Sequence, residues 1–145
     1  MPAGSVMVDG SVDHPTLFSV ADLASLPGHS LDLSFGTHAG AQHHAEAGPL
    51  LFDVLAKVGP RFDQRVKHGE LRGFVVITGA DGYEAVLSYG EIAPTFGGRT
   101  ALLSLKEDGK VLAAPRLVIS GDVGGGRDVS LVVRIQLGSA PSLRP

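Results

Sequence analysis

The sequence predicts an α+β domain dominated by mixed β-sheet, with only two or three short helices. Three observations lead there. Twenty glycines and nine prolines in 145 residues cut the chain into short elements joined by tight turns. Apolar residues mostly recur at every second position, as in Leu31, Leu33 and Phe35, the period of a strand with one wet face. Helical periodicity is confined to brief stretches, of which Leu50 to Val58 is the clearest. A hydrophobic fraction of 43% with 19% charged residues suits a packed core rather than a solvated chain.

Taken in order, Ser5 to Val8 is extended and Asp9-Gly10 reads as a hairpin-type turn. Thr16 to Ser19 is extended again. Ser19 then serves as an N-cap with Asp22 three residues on, opening a short helix from Val20 that Pro27-Gly28 stops. Leu31 to Phe35 is a strand. Gly36 to Gly48 reads as a loop rich in Gly, Ala and His, and Pro49 as the first residue of the helix that carries Leu50, Leu51, Val54, Leu55 and Val58 on one stripe. Gly73 to Thr78 and Tyr83 to Ser88 form a hairpin about Gly79-Ala80-Asp81-Gly82. Ser88 caps one helical turn through Glu91, broken by Pro94. Ala101 to Leu105 and Val111-Leu112 flank a second hairpin turn at Lys106 to Lys110, and Arg116 to Ile119 is extended. Ser120 to Gly126 is a glycine-rich loop. Val129, Leu131, Val133, Ile135 and Leu137 alternate through the last strand. The expected organisation is a single domain over 1–137 with a loose Ser/Pro-rich tail over 138–145.

Composition also excludes chemistry. Without cysteine there is no disulfide, no thiolate metal site and no thiol nucleophile. A net charge of -3 argues against broad affinity for nucleic acid or anionic lipid. No apolar run approaches the length of a membrane span. The N-terminal MPAGSVMVDG has neither a basic region nor an apolar one of the signal-peptide kind, so the expectation is a cytoplasmic protein, or a periplasmic one whose leader has been removed. No G-x-S-x-G supports a serine nucleophile, and no Walker loop is present.

Four segments, in order, carry a resemblance. GSVDHPTLFSVADLASLP is a strand leading into a short helix that ends at proline. AGPLLFDVLAKVG is a proline-led apolar helix. GFVVITGADGYEAVLSYGEI is a hairpin with Asp81-Gly82-Tyr83 at its turn. GKVLAAPRLVISGDVGGGRDVSLVVRIQL is a proline-led strand, a glycine-rich turn with a basic residue, and a long final strand. Together they resemble the molybdopterin-binding domain of sulfite-oxidase-type oxidoreductases. The resemblance implies a compact β-rich domain with a groove for a pyranopterin. It also implies a cysteine bound to molybdenum just after the strand ending at Phe35, where this chain has Gly36-Thr37-His38. The aromatic residues usual before the AGPLL-type helix and after Arg127 are replaced by Ala45-Glu46-Ala47 and by Asp128. Small relatives without the thiolate bind reduced pterins without redox chemistry.

Within that frame the candidate cofactor-binding residues are His38, His43, His44, Asp81, Tyr83, Arg99, Arg116 and Arg127. Histidine binds metals or hydrogen-bonds a heterocycle, but this trio matches no helical zinc motif and has no carboxylate at a metal-ligand offset, so no metal ligand is assigned. A surface loop with incidental histidines is the plainer reading. Asp81 suits a tight turn and also the amino-pyrimidinone edge of a pterin, with Tyr83 covering the ring. Gly124-Gly125-Gly126-Arg127 turns a hairpin or presents N–H groups and a guanidinium to an anion. Arg99 and Arg116 are further candidates for an anionic ligand. No catalytic residue is assigned. The expected function is binding of a pterin or molybdopterin without cysteine-ligated molybdenum. The alternatives are a molybdopterin-dependent oxidoreductase in which His38 or water replaces the thiolate, or a ligand-free interaction module. The expected partner is a small-molecule pterin, with a protein partner as a second candidate.

Overall fold

A computed structural model describes residues 4–37 and 40–141. Nine strands and three short α-helices are described, in the order β1 (Val6–Gly10), β2 (Thr16–Phe18), α1 (Val20–Ala24), β3 (Gly28–Thr37), β4 (Gly40–Pro49), α2 (Leu51–Val58), β5 (Gly73–Gly79), β6 (Glu84–Ser88), α3 (Tyr89–Ile92), β7 (Ala101–Glu107), β8 (Lys110–Ile119) and β9 (Val132–Ser139). A 3₁₀ turn at Gly69–Arg72 leads into β5. The strands form two sheets, one of order β2-β1-β9-β5-β6 and one of order β3-β4-β7-β8. Every ladder is antiparallel except that of β1 with β9. The α+β, sheet-dominated class read from the sequence is the class observed.

The main core lies between the sheets. Val6 and Val8 of β1, Val75 and Ile77 of β5, and Ile135 and Leu137 of β9 meet Leu103 of β7 and Leu117 of β8. Helix α2 adds Leu51, Val54, Leu55 and Val58 of the stripe its sequence period foretold, all fully buried, while Leu50 of that stripe is the N-cap and only partly buried. Leu33, Leu102 and Val118 form a smaller cluster on the other face of the four-stranded sheet. Helices α1 and α3 each begin with a complete capping box. Ser19 Oγ accepts from Asp22 N at 3.0 Å while Ser19 N donates to the Asp22 carboxylate at 2.9 Å. Ser88 and Glu91 repeat the exchange.

Several local expectations are corrected. Asp9-Gly10 is no turn: both residues continue β1, paired with Gln136 and Leu137. Glycine is required because Gly10 has φ 95° and a Cβ there would stand 2.2 Å from Leu137 O. The loop expected over Gly36 to Gly48 contains β4, which pairs with β3 from Pro49↔Gly28 to Gly40↔Thr37. Backbone pairing on both sides, not apolar side chains, makes this segment a strand. Pro49 closes β4 instead of opening α2, and Leu50 is the N-cap. Val111-Leu112 and Arg116 to Ile119 belong to one strand, β8. In the last strand Val132, Ile135 and Leu137 are buried while Leu131 and Val133 are exposed. A shift in the β5–β9 register and a left-handed Leu131 (φ 52°) reset the alternation. β9 continues through Gly138 and Ser139, and Ala140 N donates to Arg72 O at 2.9 Å.

Candidate functional site

The four-stranded sheet curls far enough that its two outer strands border one cleft of about 310 Å³. Asp32, Leu33 and Ser34 of β3 form one wall. The other is Ile119 at the end of β8, with Ser120 to Gly124 and Asp128 from the glycine-rich loop. These β3 residues lie a few positions before Gly36-Thr37-His38, where the family resemblance expects the metal ligand.

Arg127 organises the loop. Its guanidinium donates twice to Asp122, from Nε at 3.0 Å and Nη2 at 2.8 Å, and once to Glu91 at 2.9 Å from Nη1. Arg99 donates to the same Asp122 at 2.9 Å. Asp122 is consequently held below the usual carboxylate range by Arg127, and Arg127 is held well above the usual guanidinium value by Asp122 and then Glu91. Because Glu91 also caps α3, this fork fastens the loop to a helix terminus. Tyr83 adds a second tether, its hydroxyl donating to Gly126 O. Asp81 Oδ1 accepts from Tyr83 N at 3.0 Å, which fixes the β5–β6 turn.

Asp128 is the unusual carboxyl of the cleft. Its Oδ1 accepts from Ile119 N at 3.3 Å, yet burial pushes its pKa up to about 6. The neighbouring Arg116 and Arg127 offset only part of that effect. Burial therefore makes Asp128 hold its proton to a higher pH than an exposed aspartate does.

A second polar cluster lies on the β4–β7–β8 ladder. His44 Nδ1 is 2.9 Å from Asp108 Oδ2 and 3.7 Å from Glu107 Oε1, while Arg116 Nη1 donates to Glu107 Oε2 at 2.8 Å. Asp108 raises the His44 pKa, and His44 lowers that of Asp108. Glu46 is buried beside them. Burial, chiefly, raises its pKa to about 7, with the Glu107 carboxyl adding to the effect.

The eight residues singled out in the sequence thus divide. Tyr83, Arg99 and Arg127 converge on the glycine-rich loop. His44 and Arg116 belong to the second cluster. Asp81 holds the turn beside Tyr83, His43 is exposed on β4 opposite Ser34, and His38 lies outside the described residues. Sequence reasoning missed Asp32, Glu91, Asp122 and Asp128, and also Glu46, Glu107 and Asp108. For Glu46 the signal was its two-residue offset from His44, meaningful only once that segment is a strand.

No family model and no curated protein matches the sequence. Among solved structures, the sulfane dehydrogenase SoxCD from Paracoccus pantotrophus aligns with 92% of this chain at a TM-score of 0.74 and 18% identity. The chain spans 37% of the length of that protein's chain. At this identity the likeness is one of fold: the α+β, sheet-dominated architecture described above is shared with a part of that dehydrogenase.

Proposed function

We propose that this domain binds an uncharged reduced pterin in the cleft between β3 and the loop after β8, without cysteine-ligated molybdenum. The observation that carries the reading is the lining: three aspartates and two serines contributed by the middle of β3 and the loop after β8. The 2-amino and N3–H groups of a pterin are adjacent donors, and a carboxylate accepts such a pair well. Asp128, half-buried and short of donors, is the acceptor such an edge would complete. The fold shared with part of a sulfane dehydrogenase, and the resemblance to sulfite-oxidase-type domains, support the same ligand class.

Phosphate-bearing molybdopterin does not fit the described residues. Its anionic groups need unengaged cations, whereas Arg99 and Arg127 already donate to Asp122 and Glu91. The cleft itself is lined by carboxylates, and the sequence holds no thiolate for the metal. Within the proposal, Arg127 and Tyr83 are positioning residues that set the loop, and Asp128 receives the ligand's N–H groups.

Thermal melting with tetrahydropterin tests this, because a ligand that binds the native state alone raises its stability. The expected result is a raised Tm, with affinity falling as pH drops through about 6, where Asp128 takes up its proton. Asp128→Ala should weaken binding by roughly tenfold or more, the worth of a charge-assisted hydrogen bond. No Tm shift, or binding unchanged in Asp128→Ala, overturns the assignment.

A further inference from the structure

We infer that His44, Glu107 and Asp108, backed by Glu46, bind a divalent cation of the first transition row. Strands β4 and β7 meet over a short ladder that sets Glu46 directly opposite Glu107. The two-residue period of a strand brings His44 to the same face as Glu46. Asp108 follows at the β7–β8 corner, where Asp108 and Gly109 both have positive φ (53° and 80°). Its Oδ1 is fixed by Ala45 N at 2.8 Å, leaving Oδ2 against His44 Nδ1. One donor atom from each of His44, Glu107 and Asp108 lies within 4.8 Å of the other two.

Carboxylates close to a histidine are common on protein surfaces; Glu46 distinguishes this group. It is 2% exposed, and its Oε1 has no hydrogen-bond partner. A buried carboxylate oxygen left unpaired is costly, and Glu46 stands cross-strand from Glu107, whose carboxyl acts on it directly. Fully deprotonated, as metal ligands are, the three carboxylates outnumber the nearby cations, Arg116 on Glu107 and Lys110 beside Asp108, and a divalent cation would offset that excess. The donor set, one imidazole nitrogen with carboxylate oxygens and no sulfur, suits Zn²⁺, Mn²⁺ or Fe²⁺ better than soft Cu⁺ or an all-oxygen Ca²⁺ site. Bonds of about 2.0–2.2 Å require the donors to draw together, and Asp108 can move because its side chain is half exposed at a hairpin corner. None of these residues lines the cleft assigned to the pterin, so the inference stands apart from that reading.

The test is calorimetric titration of the chelator-treated chain with Zn²⁺ at neutral pH, with melting curves for every variant in the absence of metal. One equivalent of Zn²⁺ should bind and raise Tm. His44→Ala and Asp108→Asn should each weaken binding by tenfold or more. Glu46→Gln should weaken it roughly 10- to 100-fold, as removal of a supporting carboxylate does. His68→Ala, outside the cluster, should leave it unchanged. Absence of Zn²⁺ binding by the folded wild-type chain, or full binding by folded His44→Ala, overturns the inference.

Discussion

Replacing Asp128 by asparagine should make the protein more stable at neutral pH. Asn keeps the acceptor for Ile119 N but removes the charge that burial disfavours. The folded-state pKa is raised from 3.8 to about 6. Between those values the native state binds more protons than the unfolded chain, so this residue's contribution to stability grows as pH falls through 6 and is complete near 4. A shift of that size corresponds to about 3 kcal/mol held against the ionised form at pH 7, and partial exposure reduces it to about 2 kcal/mol. For a chain of this length that is a Tm increase of about 6 °C. Urea unfolding of wild type and Asp128→Asn, run in parallel at pH 7 and pH 4.5, isolates the effect, because other titrating groups contribute equally to both. The variant should lead at pH 7, and the lead should shrink greatly at the lower pH. A variant no more stable than wild type at pH 7, or a lead of the same size at both pH values, would refute the argument.

Two further outcomes follow from the same geometry. Arg127→Ala leaves the Asp122 and Glu91 carboxylates without their shared donor, and should cost about 1–2 kcal/mol in urea unfolding. Arg127→Lys should recover less than half of that loss, because it keeps the charge and loses the bidentate fork. Gly48→Ala places a Cβ 2.0 Å from Leu103 O, a backbone atom that cannot step aside. That variant should lose about 3 kcal/mol or more, beyond ordinary overpacking, and an unchanged Tm would contradict the close approach of β4 to β7.

What the sequence disclosed and what it hid follow from the range of the interactions. Capping boxes and the α2 stripe are written within three to seven residues, and they were legible. Strand β4 was not: GAQHHAEAGP lacks β-branched residues, and its conformation is imposed by β3 on one side and β7 on the other. The phase error in β9 arose where its register with β5 shifts at Val133, next to a left-handed Leu131, moving burial from Val133 to Val132. The candidate site was half legible for the same reason. Tyr83, Arg99 and Arg127 could be noticed as residue types. Their partners could not, since the bond from Arg127 to Glu91 spans 36 residues and that from His44 to Asp108 spans 64. The ion pairs change the chemistry from what the arginines alone suggested: guanidiniums picked as anion receptors are engaged with carboxylates, and the cleft beside them is acidic.

The parallel ladder of β1 with β9 has a consequence for how the molecule is made. β9 is the centre of the five-stranded sheet, flanked by β1 and β5, and its pairing with β1 joins residues more than a hundred positions apart. On a ribosome, β1 and the β5–β6 hairpin emerge well before the strand that joins them. Until then they present unpaired edges and the apolar faces of Val6, Val8, Val75 and Ile77. A sheet completed by its last strand favours slow, late-committing folding, and during that interval these exposed edges and apolar faces are the surfaces where aggregation would begin.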